Sequence, residues 1–369
     1  MDFSKVKEFI DTMEKRGIPT CELIVTKDGK EVFNHRVGFS DNSRNLYWLY
    51  STSKLITCTC AMRLIEEGKM SLSDPVSKYI PSFANLTVRG ENGDTSPCKT
   101  VMTIEHLFTM TSGIGNEHEN GEIVRNAINK KGADTLSVID AMSRVPLYFE
   151  PGTRYQYGLS HDVLAGVVEI VSGMKFSQYV KKNIFDPLGM DKTGFHPDKN
   201  TLSRFIPAHR YDNSIGASEE IPIFNWLEFT PDYDSGGAGI YSCAADYIKF
   251  LKALSMGGLA ENGYRLLREE SIKQMETNRL CKEALDDFVN GRLYGYGWGL
   301  CGRVHTNPDF SLSKSSVGEF GWDGAGGCFS MVDRKKGVAL FFGMHVLGCN
   351  YSYVVLQSVI RNLVYDAFN

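Results

Sequence analysis

Several features that would narrow the function at once are missing from this sequence of 369 residues. Forty Lys and Arg against forty-four Asp and Glu give a net charge of −4, so no excess of basic residues is available to attract nucleic acid. No stretch approaches the roughly 20 continuous apolar residues that a membrane-spanning helix needs. The charged start, residues 1–9, does not resemble a secretory signal peptide. Because these features are absent, we expect that the protein binds neither nucleic acid nor a membrane.

Metal and cofactor signatures are also missing. The nine cysteines are odd in number and lack the spacing of a disulfide framework, which favours a reducing, cytoplasmic location. Cys58 and Cys60 have no second pair to complete a zinc site, and the eight histidines include no His-Glu-x-x-His. No glycine loop typical of phosphate binding is found. We therefore expect no metal and no cofactor, and the sequence sets no oligomeric state.

What is present is an ordinary globular composition, 42% apolar and 23% charged, with strand patterns at both chain ends and helical patterns between them. Residues 21–37 read as a hairpin around Asp28-Gly29, and residues 328–345 read as a second hairpin. Helical periodicity marks residues 3–13, 51–69 and 352–368, while residues 74–231 are predicted to be mostly helical. The order predicts an α+β fold in which a sheet domain (residues 1–75 and 235–369) is interrupted by a helical domain (residues 76–234). The active-site cleft would lie between them.

The strongest local motif is Ser51-Thr52-Ser53-Lys54 at the start of a predicted helix. A serine hydroxyl is a weak nucleophile and needs a base within hydrogen-bond reach, and Lys54 would lie on the same helix face as Ser51. The positive end of the helix would also favour negative charge developing at Ser51. The same spacing occurs at four other places in the chain, so the motif alone favours an ordinary capping serine with a solvated lysine, and its context must decide.

The surrounding blocks resemble the serine β-lactamase and penicillin-binding-protein superfamily, in the branch of class C β-lactamases, D-amino-acid peptidases and β-lactamase-fold esterases. After the Ser-x-x-Lys block, four more follow in the family's order: His106–Gly113, Pro151–Tyr157, Gly236–Ser242 and Gly321–Gly327. The resemblance spans about residues 45 to 345. It implies a β-lactamase/transpeptidase-like fold, an antiparallel sheet flanked by helices with an inserted helical domain.

The resemblance also implies catalytic roles. Ser51 would be the acylated nucleophile, Lys54 would share its proton network, and Tyr157 would be the catalytic tyrosine, with Tyr155 as the nearby competitor. Lysine and tyrosine ordinarily titrate near pH 10, so whichever acts as the base needs a shifted pKa, and the sequence leaves the choice open. The backbone N–H groups of Ser51 and Ala325 would form the oxyanion hole.

Two departures from the family pattern bear on the substrate. Leu159 stands where the β-lactamases have an asparagine, and Trp322 stands where they have a lysine or histidine. Both changes resemble the esterase-like members and predict a more apolar pocket. Asp323 is unusual in this place and either points away from the site or favours a cationic or neutral substrate. The expected pocket residues are Trp322, Asp323, Gly324, Leu159, His161 and Trp226.

These observations predict a serine hydrolase that works through an acyl-enzyme on a small-molecule ester or amide. A carboxylesterase acting on small or apolar acyl esters is favoured, and acyl transfer to an alcohol uses the same intermediate. A D-amino-acid peptidase is the alternative, followed by a weak β-lactamase. A catalytically silent binding protein of the same fold is the non-enzyme alternative.

Overall fold

The computed structural model describes residues 1–39, 43–90, 92–116, 121–122, 124–126, 132–290 and 292–369. The strands are β1 (Cys21–Lys27), β2 (Lys30–Val37), β3 (Tyr47–Trp48), β4 (Thr87–Arg89), β5 (Thr95–Pro97), β6 (Ala208–Asp212), β7 (Ala217–Ile221), β8 (Tyr241–Ser242), β9 (Tyr296–Trp298), β10 (Arg303–His305), β11 (Phe320–Gly321), β12 (Phe329–Asp333), β13 (Val338–Met344) and β14 (Val346–Leu347).

The α-helices are α1 (Ser4–Ile10), α2 (Ser53–Glu66), α3 (Ile104–Phe108), α4 (Thr135–Met142), α5 (Ser160–Ser172), α6 (Phe176–Val180), α7 (Asp186–Leu188), α8 (Lys199–Leu202), α9 (Ala244–Ser255), α10 (Glu269–Met275), α11 (Lys282–Val289), α12 (Pro308–Ser311) and α13 (Gln357–Asp366). Short 3₁₀ turns cover Glu14–Arg16, Tyr50–Thr52, Val76–Lys78, Pro81–Ala84 and Arg334–Lys336, and π-helical turns cover Lys181–Phe185 and Ser352–Leu356.

Seven strands from the two ends of the chain form one sheet in the order β2-β1-β13-β12-β11-β10-β9, with every neighbouring pair antiparallel. The hairpins β1–β2 and β12–β13 are the ones predicted from the sequence. Asp28 and Gly29 both have positive φ, 50° and 75°, which a two-residue turn matching the strand twist requires. The α+β, β-lactamase/transpeptidase-like fold class is therefore confirmed.

The sheet separates two apolar cores because successive side chains of a strand point to opposite faces. Leu23 and Val25 of β1 pack with α1 and α13 on one face, while Ile24 between them joins the larger core on the other face. That larger core contains the buried side of α2 as well as α9, which packs on β13. Helix α2, which follows Ser51, thus lies on the face of the sheet opposite the terminal helices α1 and α13.

The middle of the chain is less uniformly helical than predicted. Two small hairpins interrupt it, β4–β5 and β6–β7, and the second pairs in parallel with β14 from the C-terminal part of the chain. The β6–β7 hairpin turns at Asp212–Gly216 with polar side chains on its exposed face, so its apolar alternation is weak. The division into a sheet domain and a helical domain stays a prediction.

All nine cysteines are free thiols in the structure. A search of the described helices finds none that combines the length and apolarity needed to cross a bilayer.

Candidate active site

The candidate nucleophile lies at a strained turn that leads into α2. Ser51 is the middle residue of the 3₁₀ turn Tyr50–Thr52, and Tyr50 before it has a φ of 46°, in the left-handed region that a bulky residue rarely adopts. The turn is fixed on both sides, because the Tyr247 hydroxyl donates to the carbonyl of Thr52 at 2.7 Å and Tyr50 donates to that of Phe224 at 2.9 Å. Ser51 is itself partly exposed, as a nucleophile must be.

Lys54 lies beneath the nucleophile and is only 3% exposed. Its Nζ donates to Ser51 Oγ at 3.2 Å and to the carbonyl oxygen of Gly237 at 2.9 Å. One turn further along α2, the Thr57 hydroxyl donates to the carbonyl of Gly236 at 2.6 Å. The Gly236-Gly237 backbone therefore lies directly against α2, and it holds the lysine in reach of the serine.

Tyr157 completes a three-residue cluster with Ser51 and Lys54. Lys54 Nζ is 4.8 Å from the centre of the Tyr157 ring, and the indole N–H of Trp322 donates to the Tyr157 hydroxyl at 2.9 Å. Burial raises the pKa of Tyr157, and the Lys54 charge together with hydrogen bonds from Ser51, Lys54 and Trp322 offsets part of that rise. The net effect leaves Tyr157 protonated at rest.

Tyr155, the competing tyrosine, lies elsewhere. Its ring packs against Phe288 and Trp298, with centroids 5.2 and 5.6 Å away. Burial raises its pKa well above the ordinary value, and the nearby Tyr157 and Asp323 add to the rise. Among the two tyrosines, Tyr157 is the one beside Lys54.

The predicted oxyanion donors belong to two segments that approach each other closely. A Cβ placed on Gly324 would lie 2.2 Å from the carbonyl oxygen of Leu49 and 3.6 Å from the backbone nitrogen of Ser51. Only glycine allows this approach. Among the described residues, neither the backbone N–H of Ser51 nor that of Ala325 donates to a backbone carbonyl outside its own helix or strand. Both groups are thus available to a ligand.

The C-terminal π turn supports the same segment. The Tyr353 hydroxyl lies 3.0 Å from the carbonyl oxygens of both Gly324 and Ala325. One turn later, Gln357 donates to Asp323 at 3.4 Å. Burial raises the pKa of Asp323, which is partly offset by Arg303 and this hydrogen bond. Asp323 therefore faces the C-terminal helix. No motif in the sequence pointed to Tyr353.

Among the other predicted pocket residues, Trp226 is partly exposed and stacks on Tyr50, with ring centroids 5.1 Å apart. Leu159 is 2% exposed and His161 is fully buried, and their place in the substrate pocket stays a prediction. His161 Nε2 bonds the carbonyl of Phe108 at 3.1 Å, and burial with the Lys54 charge lowers the pKa of His161 to about 3. His161 is a neutral structural residue because helix α5 turns its side chain into the core.

No group of three His, Cys, Asp or Glu side chains that could hold a metal ion occurs in the described ranges. The chemistry available from the residues described above is nucleophilic attack by a serine, proton transfer through a lysine and a tyrosine, and stabilisation of an oxyanion by backbone N–H groups.

Comparison with known proteins agrees with this geometry. Curated relatives include the acyltransferase calJ of Penicillium decumbens, 29% identical over 79% of this chain and 73% of that protein. Esterase EstB of Burkholderia gladioli is 24% identical over 90% and 87%. A putative D-alanyl-D-alanine carboxypeptidase of Escherichia coli K12 is 25% identical over 84% and 74%.

The fold is shared with solved structures as well. Unliganded simvastatin synthase (LovD) from Aspergillus terreus superposes with a TM-score of 0.83, at 18% identity over 100% of this chain and 99% of that one. The family model described as Beta-lactamase matches residues 6–347, nearly the whole chain. With the Ser-x-x-Lys serine and its neighbouring tyrosine in one cluster, the chain belongs to the beta-lactamase family.

Proposed function

We propose that this protein is a serine hydrolase that cleaves carboxylic esters of small or apolar acyl groups through an acyl-enzyme on Ser51. The observation that carries the proposal is the contact of Lys54 Nζ with Ser51 Oγ at 3.2 Å, beside a tyrosine whose hydroxyl is held by Trp322. A nucleophile, its proton acceptors and a candidate oxyanion hole are thus assembled from separate parts of the chain.

The reaction proceeds in two halves. Ser51 Oγ attacks the ester carbonyl, its proton passes to the Lys54–Tyr157 pair, and the N–H groups of Ser51 and Ala325 stabilise the oxyanion. The tetrahedral intermediate collapses, the C–O bond to the alcohol breaks, and the pair returns the proton to the departing alkoxide. Water then attacks the acyl-enzyme by the same route, which releases the carboxylic acid and restores Ser51.

The surroundings of the cluster favour an ester over a charged amide substrate. Trp322 and Trp298 lie against Tyr157, with ring centroids 5.5 and 6.2 Å from it, and Trp322 stands where the family's β-lactamases have a lysine or histidine. The indole N–H of Trp322 is engaged by Tyr157, so Trp322 supplies neither a charge nor a free donor to a substrate carboxylate. EstB, named an esterase, supports the same substrate class.

Transfer of the acyl group to an alcohol acceptor is the second outcome of the same intermediate, and the relative named acyltransferase supports it. A D-amino-acid peptidase is the alternative activity, supported by the relatives named putative D-alanyl-D-alanine carboxypeptidase. A silent binding protein is disfavoured, because ligand binding alone does not require Ser51, Lys54 and Tyr157 together.

The first test is intact-protein mass spectrometry after incubation with a fluorophosphonate probe. The wild type should gain one adduct, and Ser51→Ala should gain none while keeping its circular dichroism spectrum and lacking esterase turnover. Ser311→Ala is the matched control, since Ser311 is partly exposed and its Oγ lies 2.7 Å from His305 Nε2, the arrangement of another reactive serine. An adduct that survives Ser51→Ala and disappears in Ser311→Ala would overturn the assignment.

Rates on matched substrates then decide between the activities. We expect p-nitrophenyl acetate and butyrate to be hydrolysed with a higher kcat/KM than D-alanyl-D-alanine peptides or nitrocefin. Product analysis with added short alcohols separates hydrolysis from acyl transfer. A higher kcat/KM on the D-peptides would favour the peptidase.

A further inference from the structure

A buried carboxylate lies behind the catalytic cluster and has no part in the chemistry assigned above. Asp162, in the first turn of α5, has no exposed surface. Its Oδ1 accepts hydrogen bonds from the hydroxyls of Tyr233 at 2.5 Å and Ser235 at 2.6 Å. Its Oδ2 is buried and has no hydrogen-bond partner among the described residues. An unpartnered buried carboxylate oxygen is costly unless a positive charge is near.

The unpartnered oxygen and the Lys54 ammonium group lie on either side of one glycine. The Cβ position of Gly237 is 2.3 Å from Asp162 Oδ2 and 3.3 Å from Lys54 Nζ. Any side chain at residue 237 would therefore separate the two groups, and glycine leaves the space between them free. Lys54 also donates to the carbonyl of Gly237, which fixes the lysine over this gap.

Several other titratable groups among the described residues near Lys54 have shifted pKa values. Tyr157 and Cys58 have pKa values raised by burial, and the pKa of His161 is lowered to about 3, so all three are neutral near pH 7. Tyr233, on the far side of Asp162, is also held protonated by burial and by the carboxylate. Asp323 faces α13 and Gln357, and burial raises its pKa.

We propose that Asp162 is a positioning residue for the reaction at Ser51, which holds Lys54 in place as its buried counter-charge. This rests on the proposed function. Ser235 and Tyr233 fix one oxygen of the carboxylate, so that the other faces Lys54 across Gly237. The negative charge favours the protonated form of Lys54, and so sets the pH above which the Lys54–Tyr157 pair has lost one proton and can accept that of Ser51.

The first test is the pH dependence of kcat/KM for p-nitrophenyl butyrate with Asp162→Asn. Removing a negative charge lowers the pKa of both Lys54 and Tyr157, so the acidic limb of the profile should move to lower pH by about one unit or more. Asp246→Asn is the matched control, since Asp246 is 4% exposed but bonds Thr193 and the backbone of Lys192, away from the cluster. An unmoved limb in a folded Asp162→Asn enzyme would overturn the proposal.

The second test needs no activity. If Asp162 and Lys54 are charge partners, Lys54→Met and Asp162→Asn should each lower Tm because each leaves one buried charge unpaired. The double variant should then be more stable than the sum of the two losses predicts, and recovery of folding in the double variant also supports the proposal. Additive losses of Tm count against the proposal. If one of the single variants does not fold, a double variant that also does not fold counts against it as well.

Failure of this inference is distinguishable from failure of the proposed function. Fluorophosphonate labelling of wild-type Ser51 tests the function alone. If the wild type is labelled but Asp162→Asn shows an unchanged pH profile and additive losses of Tm, Ser51 remains the nucleophile and only the role of Asp162 is rejected.

Discussion

At the scale of single residues, the difference between Tyr155 and Tyr157 is the most informative. The two tyrosines are only two positions apart in the sequence, but Tyr157 is the one whose ring lies over the Lys54 ammonium group. We expect Tyr157→Phe to lower kcat/KM by about 100-fold or more, the usual contribution of a proton-transfer group. Tyr155→Phe should leave it nearly unchanged, because Tyr155 packs against Phe288 and Trp298. Steady-state kinetics of both variants checks this, and the reverse order would reassign the tyrosine.

Trp322 lies in the predicted pocket and also donates a hydrogen bond to Tyr157, so its substitution should change the pH dependence of kcat/KM. Its indole hydrogen bond lowers the pKa of Tyr157, so Trp322→Phe should raise that pKa. If Tyr157 accepts the proton, the acidic limb of kcat/KM moves to higher pH, opposite to the shift expected for Asp162→Asn. An unmoved limb would assign the proton to Lys54 instead. Trp298→Phe is the control, since the Trp298 N–H donates to the carbonyl of Phe108 at 3.0 Å.

At the scale of elements, the C-terminal helix acts on the site although it belongs to the opposite end of the chain from Ser51. The Tyr353 hydroxyl bonds the carbonyl of Gly324, the other end of the peptide group whose N–H is the predicted oxyanion donor. Such a bond orients and polarises that N–H. The π turn at Ser352–Leu356 brings Tyr353 into this position, as such turns often do near functional sites.

We expect Tyr353→Phe to lower kcat with little change in KM or Tm. The loss should be smaller than the roughly 100-fold cost of removing an oxyanion donor itself. Tyr351→Phe is the matched control in the same segment, because Tyr351 packs against Arg16 instead. Steady-state kinetics and thermal melts would measure both variants. An equal fall in kcat for the two variants would show that the effect is only structural.

Elements with strong local patterns were predictable. The β1–β2 and β12–β13 hairpins and the helix after Ser51 follow from alternation, from the Asp28-Gly29 turn and from helical periodicity. The β6–β7 hairpin was missed because its exposed strands are polar and its stability depends on pairing with β14, which is more than 120 residues away in the chain. The pocket roles of Leu159 and His161 stay predictions, because periodicity does not specify that packing buries both side chains.

At the scale of the whole molecule, the sheet has one apolar core on the face of α2 and a second core on the opposite face. We expect a substitution in the second core to lower stability without changing catalysis. Ile10 is fully buried between α1 and the sheet, on the face away from Ser51. Ile10→Ala should lower the free energy of unfolding by about 2–5 kcal/mol, from lost burial and the cavity left behind. The kcat/KM of the folded enzyme should stay unchanged. Urea unfolding followed by tryptophan fluorescence, together with esterase kinetics, checks both, and a large fall in kcat/KM would show that the two faces are coupled.

The sequence by itself determined the family and the order of the motif blocks and predicted Ser51 as the nucleophile, because these depend on residue types at short spacings. The tertiary structure decided which tyrosine meets Lys54, which predicted pocket residues are buried, and that Asp162 and Tyr353 lie behind the lysine and the oxyanion segment. Four of the hydrogen bonds that build the site join residues 28 to 183 positions apart. Such contacts depend on how helices and strands pack in three dimensions, which local periodicity does not specify.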